Sequence, residues 1–201
     1  MLPQLNGMLS SKLSMLNGVM AGKLKAKDPM QLHMAPMHKG QAEVNMKDLH
    51  GMSALSIKTL KATDFTAPTM TLDVAGSWAK DLELTGDAKG SMPRAVPFSV
   101  YLQGVSFDAS AVKAILDADT GEITEFKVGG VRVHIGGSHA QVRTRSRFFA
   151  RILSNAVSKK VKEKEGTIAG KMAGKITEVL TKMLNEKVKG MLNQKINEKL
   201  R

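Results

Sequence analysis

The chain has 201 residues, with 30 Lys/Arg against 18 Asp/Glu, a net charge of +12 and no cysteine. Without cysteine there are no disulfides, thiol nucleophiles or cysteine-ligated metal sites, and one Trp, one Tyr and six Phe are too few stacking platforms for single-strand nucleic-acid binding. One domain spanning 1–201 is expected at this length, and no run approaches the ~18 consecutive apolar residues of a membrane-spanning helix. The charge favours acidic partners such as phosphate head groups. It is unevenly placed: Arg143 to Arg201 holds 16 Lys/Arg and 5 Asp/Glu, whereas residues 1–142 hold 14 and 13.

Residues 2–26 carry Leu2, Leu5, Leu9, Leu13, Leu16, Met20 and Leu24 in steps of three and four, which predicts an amphipathic helix. Gly7, Gly18 and Gly22 weaken it. Asp28-Pro29 ends it, because the residue before proline avoids the helical region. Lys27 to Gly40 reads as an extended connector.

From about Gln41 to Gly136 the period becomes two. Ala42/Val44/Met46, Leu55/Ile57, Met70/Leu72/Val74, Leu82/Leu84 and Val96/Phe98/Val100/Leu102 alternate with polar neighbours. Val105/Phe107, Val112 to Leu116 and Ile123 to Ile135 continue the pattern, for about seven strands. One dry and one wet face argue for antiparallel pairing. Glycines inside these runs mark bulges or bends, so strong curvature is expected. Asp117 to Gly121 reads as a turn, since the acidic and glycine spacing of a calcium loop is missing.

Residues 147–200 predict one long helix. Its apolar stripe runs through Met172, Ile176, Val179/Leu180, Met183/Leu184, Val188, Met191/Leu192, Ile196 and Leu200. Gly166 is expected to bend or break it, with Thr167 capping the next stretch. The small residues Ala169/Gly170 and Ala173/Gly174 are expected to admit another backbone at close range. The fold class that follows is α+β: a strongly curved antiparallel sheet wrapped around a long C-terminal helix, with an N-terminal amphipathic helix.

Four segments look familiar. Asp28-Pro29-Met30-Gln31-Leu32 resembles the connector after the first helix of insect takeout and juvenile-hormone-binding proteins, and Leu49-His-Gly-Met-Ser-Ala-Leu55 resembles their step into the second strand. Asp119-Thr-Gly-Glu-Ile-Thr-Glu-Phe126 resembles their late hairpin. Val131-Arg-Val-His-Ile-Gly-Gly137, followed by an amphipathic helix, resembles the group 7 mite allergens. All belong to the tubular lipid-binding superfamily, so the resemblance implies a curved sheet around a helix enclosing an apolar tunnel. Hormone-binding members carry an N-terminal disulfide that a cysteine-free chain lacks, which tilts the comparison towards the mite-allergen branch. No ligand-contacting residue is carried over.

Catalytic constellations are missing from the sequence. His33, His38, His50, His134 and His139 show no metal-binding helical spacing, and neither a nucleophile elbow nor a phosphate loop occurs. No enzyme, metal or cofactor is expected. Binding of a small hydrophobic ligand or lipid is expected instead. Candidate lining residues are Ile57, Met70, Leu72, Val74, Phe98, Val100, Leu102, Val128 and Val133 on strands, and Met172, Ile176, Leu180 and Met183 on the helix stripe. The competing reading is that these pack a solid core.

Arg143, Arg145, Arg147, Arg151, Lys159 and Lys160 are candidates for contact with an anionic membrane surface, against the plainer reading of a solvated helix face. Nucleic acid is not expected as a partner. The leading expectation is a secreted carrier with no signal peptide among these residues. The alternative is a surface-acting protein that binds anionic membranes or bacterial lipids through its basic helices.

Overall fold

The computed structural model describes residues 2–39, 42–90 and 94–200. Gln41, where the alternation is expected to begin, lies outside them, as do Arg201 and the side chain of Leu200.

The N-terminal amphipathic pattern forms two helices rather than one: α1 (Leu2–Ser11) and α2 (Leu13–Lys25). The break is at Lys12, whose N–H is shared between the Met8 and Leu9 carbonyls at 3.2 Å each, and not at a glycine. Kinking there lets both helices follow one bent strand, β4 (Leu55–Thr66), with Leu9, Leu16, Met20 and Leu24 buried beneath them.

The expected connector holds two short strands, β1 (Met30–Gln31) and β2 (Met37–Lys39). Both lie antiparallel to β3 (Ala42–His50). Two or three residues are too few to display a period of two. A 3-10 turn (Met52–Ala54) follows. Beyond it and β4 come β5 (Thr69–Trp78), β6 (Leu82–Lys89), β7 (Val96–Gln103), β8 (Ser106–Leu116), β9 (Ile123–His134) and β10 (Gly137–Val142). The strand region thus runs past Gly136. Only Ala140 is buried in β10, so that edge strand shows no apolar alternation.

One sheet has the order β1-β3-β6-β7-β10, with β2 also against β3; the other is β4-β5-β8-β9. The chain passes between them at β3/β4, β5/β6, β7/β8 and β9/β10. Hydrogen bonds bridge the crossing: Trp78 N–H donates to Val105 at 3.1 Å and Gly136 N–H to Gln103 at 2.9 Å. Gly104 makes the β7/β8 crossing at a φ of 58°, a region that favours glycine. Register slips between Met46/Asp48, Ile57/Thr59 and Ala62/Asp64 add twist. The two sheets are therefore halves of one strongly bent surface.

The C-terminal helix comprises α3 (Arg147–Met183), a π turn (Leu184–Val188) and α4 (Lys189–Leu200). Helical structure runs through Gly166 without the expected break; the irregularity falls at 184–188. A Cβ at Gly166, Gly170 or Gly174 would meet nothing within 4 Å, so the expected close backbone approach at 169–174 does not occur. The packed face is carried by Leu153, Val157, Val161, Ile168, Met172, Ile176 and Leu180, and α3 lies against β3, β9, β10 and α2. The fold is α+β, a curved antiparallel sheet around a long C-terminal helix. Among the described residues no helix is long and apolar enough to cross a membrane.

Candidate ligand cavity

Strands β4 and β9 are the outer strands of the four-stranded sheet, and an outer strand presents unpaired N–H and C=O groups. Asparagines on the helices satisfy them. On β4, Asn6 Oδ1 accepts from Ala62 N–H at 2.7 Å and its Nδ2 donates to the same residue's carbonyl at 3.0 Å. Asn17 does the same for Ile57 at 2.6 and 3.1 Å. On β9, Asn185 pairs with Phe126 at 2.8 and 3.0 Å, and Asn193 with Ile123 at 2.8 and 3.0 Å. A carboxamide offers one acceptor and two donors, so each mimics the peptide of a missing strand.

Two more groups extend the row along β9 and the residue before it: Lys189 Nζ donates to the Thr124 carbonyl at 2.7 Å, and Asn197 Nδ2 to Glu122 Oε1 at 2.7 Å. Positions 185, 189, 193 and 197 recur every four residues, one face of a helix. The neighbouring row, Leu184, Val188, Leu192 and Ile196, is apolar and faces inward. The polar row pins the helix to the strand, and that orientation aims the apolar row at the interior.

Ion pairs join α2 to the C-terminal helix. Lys23 pairs with Glu186 and Lys27 with Glu178, each at 2.7 Å. Glu178 also accepts from Lys175 at 2.6 Å and Lys182 at 3.2 Å. These ammonium groups, Lys175 foremost and then Lys27 and Lys182, lower its pKa to about 2.

A cavity of about 310 Å³, partly open to solvent, lies between α1, the strand ends and α4. Leu5 of α1, Phe65 and Met70 of the β4–β5 hairpin, Leu116 and Ile123 flanking the β8–β9 turn, and Leu192 and Ile196 of α4 supply its apolar walls. Asp119, Thr120 and Gly121 form the polar rim. Phe65, 39% exposed, stands at the mouth. The rim turn is held by Asp117, whose Oδ1 accepts from the Thr120 N–H (2.8 Å), the Thr120 hydroxyl (3.0 Å) and the Asp119 N–H (3.0 Å). The Thr120 and Asp119 donors lower the Asp117 pKa below the usual carboxylate value. The volume lies at the lower end of the range for small-molecule pockets, and apolar walls of this kind stay dry and accept apolar guests.

Of the lining residues named from the sequence, Met70 lies on this cavity. Ile57, Leu72, Val74, Phe98, Val100, Leu102, Met172, Ile176, Leu180 and Met183 are buried in the packed core, and Val128 and Val133 pack half-buried against it. Leu192 and Ile196 stood in the helix stripe, and Leu116 and Ile123 bracket the one turn read between two apolar runs. A search for apolar residues on both sides of that turn finds two of the seven apolar wall residues, Leu116 and Ile123.

Arg143, Arg145, Arg147, Arg151 and Lys159 are exposed around the start of α3; Lys160 is half-buried and pairs with Glu163 at 2.7 Å. Among the described residues no three His, Asp or Glu side chains gather as a metal site. His134 is exposed, with Nε2 2.7 Å from Asp108 Oδ1.

Two of the familiar segments meet in space: the Asp28 carboxylate accepts from the Gly51 N–H at 3.0 Å and the Ser53 hydroxyl at 3.1 Å. No family model and no curated protein matches the sequence. A crystal structure of lipopolysaccharide binding protein superposes with a TM-score of 0.48 and 12% identity, over 91% of this chain. The match spans 38% of that protein.

Proposed function

We propose that this protein is a non-catalytic, extracellular carrier of small hydrophobic ligands or lipids, holding an acyl chain or a body of similar size in the cavity between α1, α4 and the strand ends. The observation behind this reading is the apolar-walled space of about 310 Å³ between α1, α4 and the strand ends. Removing ~400 Å² of apolar surface from water, ligand and wall together, gains about 10 kcal/mol before the costs of association. The resemblance to the takeout and mite-allergen proteins, carried by the four short segments, agrees with such a role.

A neutral apolar fluorophore such as N-phenylnaphthylamine, titrated into the full chain and displaced by fatty acids, tests the reading. Solvent extraction and mass spectrometry identify any co-purified lipid. Ile196→Trp places an indole in the cavity; loss of fluorophore binding at unchanged melting temperature is the expected result. Absence of both fluorophore binding and co-purified lipid overturns the reading.

A further inference from the structure

We propose that the N-terminal end of α3 docks the protein on an anionic phospholipid bilayer. Phe148 is 70%, Ile152 48% and Phe149 39% exposed, although core packing uses nearly every other large apolar side chain described. The two phenylalanine rings meet edge-to-face, with centroids 5.8 Å apart. Phe148 and Ile152 are one turn apart, and Lys159 lies on the same face two turns further on. The buried row that begins at Leu153 points instead to the sheets.

Exposed Arg147 and Arg151 interleave with this apolar patch. No Asp or Glu occurs from Gly137 to Lys162; beyond it, acidic residues return at Glu163 and Glu165. Large apolar side chains set among uncompensated arginines fit an anionic surface with an apolar interior: rings enter the acyl boundary while guanidinium groups stay at the phosphates. Single-stranded nucleic acid fits less well, since the two rings already occupy one another's edge and face and, among the described residues, no third ring stacks with them.

Along the helix axis the patch lies about 70 Å from Ile196 at the cavity, at 1.5 Å per residue. Docking at this end leaves the cavity mouth facing water, so the inference does not depend on the cavity being filled.

The test is co-sedimentation of the full chain with phosphatidylcholine vesicles, with and without phosphatidylserine. Binding is expected only with phosphatidylserine and is lost at high salt. Phe148→Ser and Ile152→Ser each lower partitioning about tenfold, and Arg147→Ser and Arg151→Ser about fivefold each. Both apolar positions are exposed, and unchanged melting temperatures confirm that these variants fold. Phe148→Trp adds a fluorophore that brominated lipid quenches, against the buried Trp78 as an unquenched internal reference. Equal binding to pure phosphatidylcholine, full binding by the serine variants, or no quenching overturns the proposal. So does a vesicle-free homodimer that Phe148→Ser dissociates, or nucleic-acid binding without vesicle binding.

Discussion

Asn185 pairs with Phe126 as a neighbouring strand would, accepting from its N–H at 2.8 Å and donating to its carbonyl at 3.0 Å. The π turn that carries Asn185 stands beside an outer strand whose ladder groups would otherwise stay open to further pairing. With Asn193, Asn6 and Asn17 making the same bidentate contact, both edges of the four-stranded sheet end on helices.

Asn185→Ala therefore strands one N–H and one carbonyl at the β9 edge. The expected loss is about 1–3 kcal/mol, a drop of about 2–4 °C in melting temperature per kcal/mol for a chain of this size. Amide exchange at Phe126 accelerates. Asn185→Asp keeps an acceptor for the Phe126 N–H but sets a carboxylate oxygen against the Phe126 and Thr181 carbonyls, so it destabilises as well. A parent-like melt for Asn185→Ala rules out the edge role.

Two glycines respond in opposite directions to a methyl group. A Cβ at Gly86 would sit 2.1 Å from the Asn45 carbonyl oxygen and 2.6 Å from Phe98 Cζ, so Gly86→Ala is expected to destabilise by about 2 kcal/mol or more. Gly174 lies mid-helix with nothing within 4 Å of a Cβ. Gly174→Ala gains up to about 1 kcal/mol from helix propensity. Urea midpoints read both; a neutral Gly86→Ala contradicts the packing described.

Glu178 makes stability fall in acid. Its folded pKa of about 2 lies below the ordinary 4.5, so its contribution is complete above pH 4.5 and disappears as pH falls towards 2. The carboxylate is partly exposed, which limits the effect to about 1 kcal/mol. Glu178→Gln removes that component of the acid slope and loosens α2 from α3. Matching stability–pH curves for parent and variant between those limits count against it.

Ligand binding in the cavity and docking on vesicles are expected to separate by salt. Apolar walls give fluorophore binding that persists at ~1 M salt, where the Debye length is about 3 Å, while arginine-dependent vesicle binding collapses there. Fluorophore affinity that falls in parallel with vesicle binding places both on one charged surface and refutes the separation.

Periodicity made the fold class legible. Steps of three and four marked the terminal helices and steps of two marked β3 to β9, because a half-buried helix or strand writes its own repeat into neighbouring residues. The turn at Asp117 to Gly121 was equally local. β1, β2 and β10 were too short or too polar to show a repeat. The kink at Lys12 left no mark because it serves contact with β4, some forty to sixty residues away.

The cavity and its supports were decided between distant segments. Asn185, Lys189, Asn193 and Asn197 form a row that looks solvated until β9 lies beside it, 59 to 75 residues away. Phe148, Phe149 and Ile152 fit the same apolar pattern as Leu153 and Val157, yet the sheets cover only the latter pair. Local repeats determined which residues are apolar on one side of a helix or strand. Only tertiary packing decided which of those sides meets a neighbour, which encloses a space and which is left facing outward, because these outcomes depend on surfaces that the chain brings together from far apart.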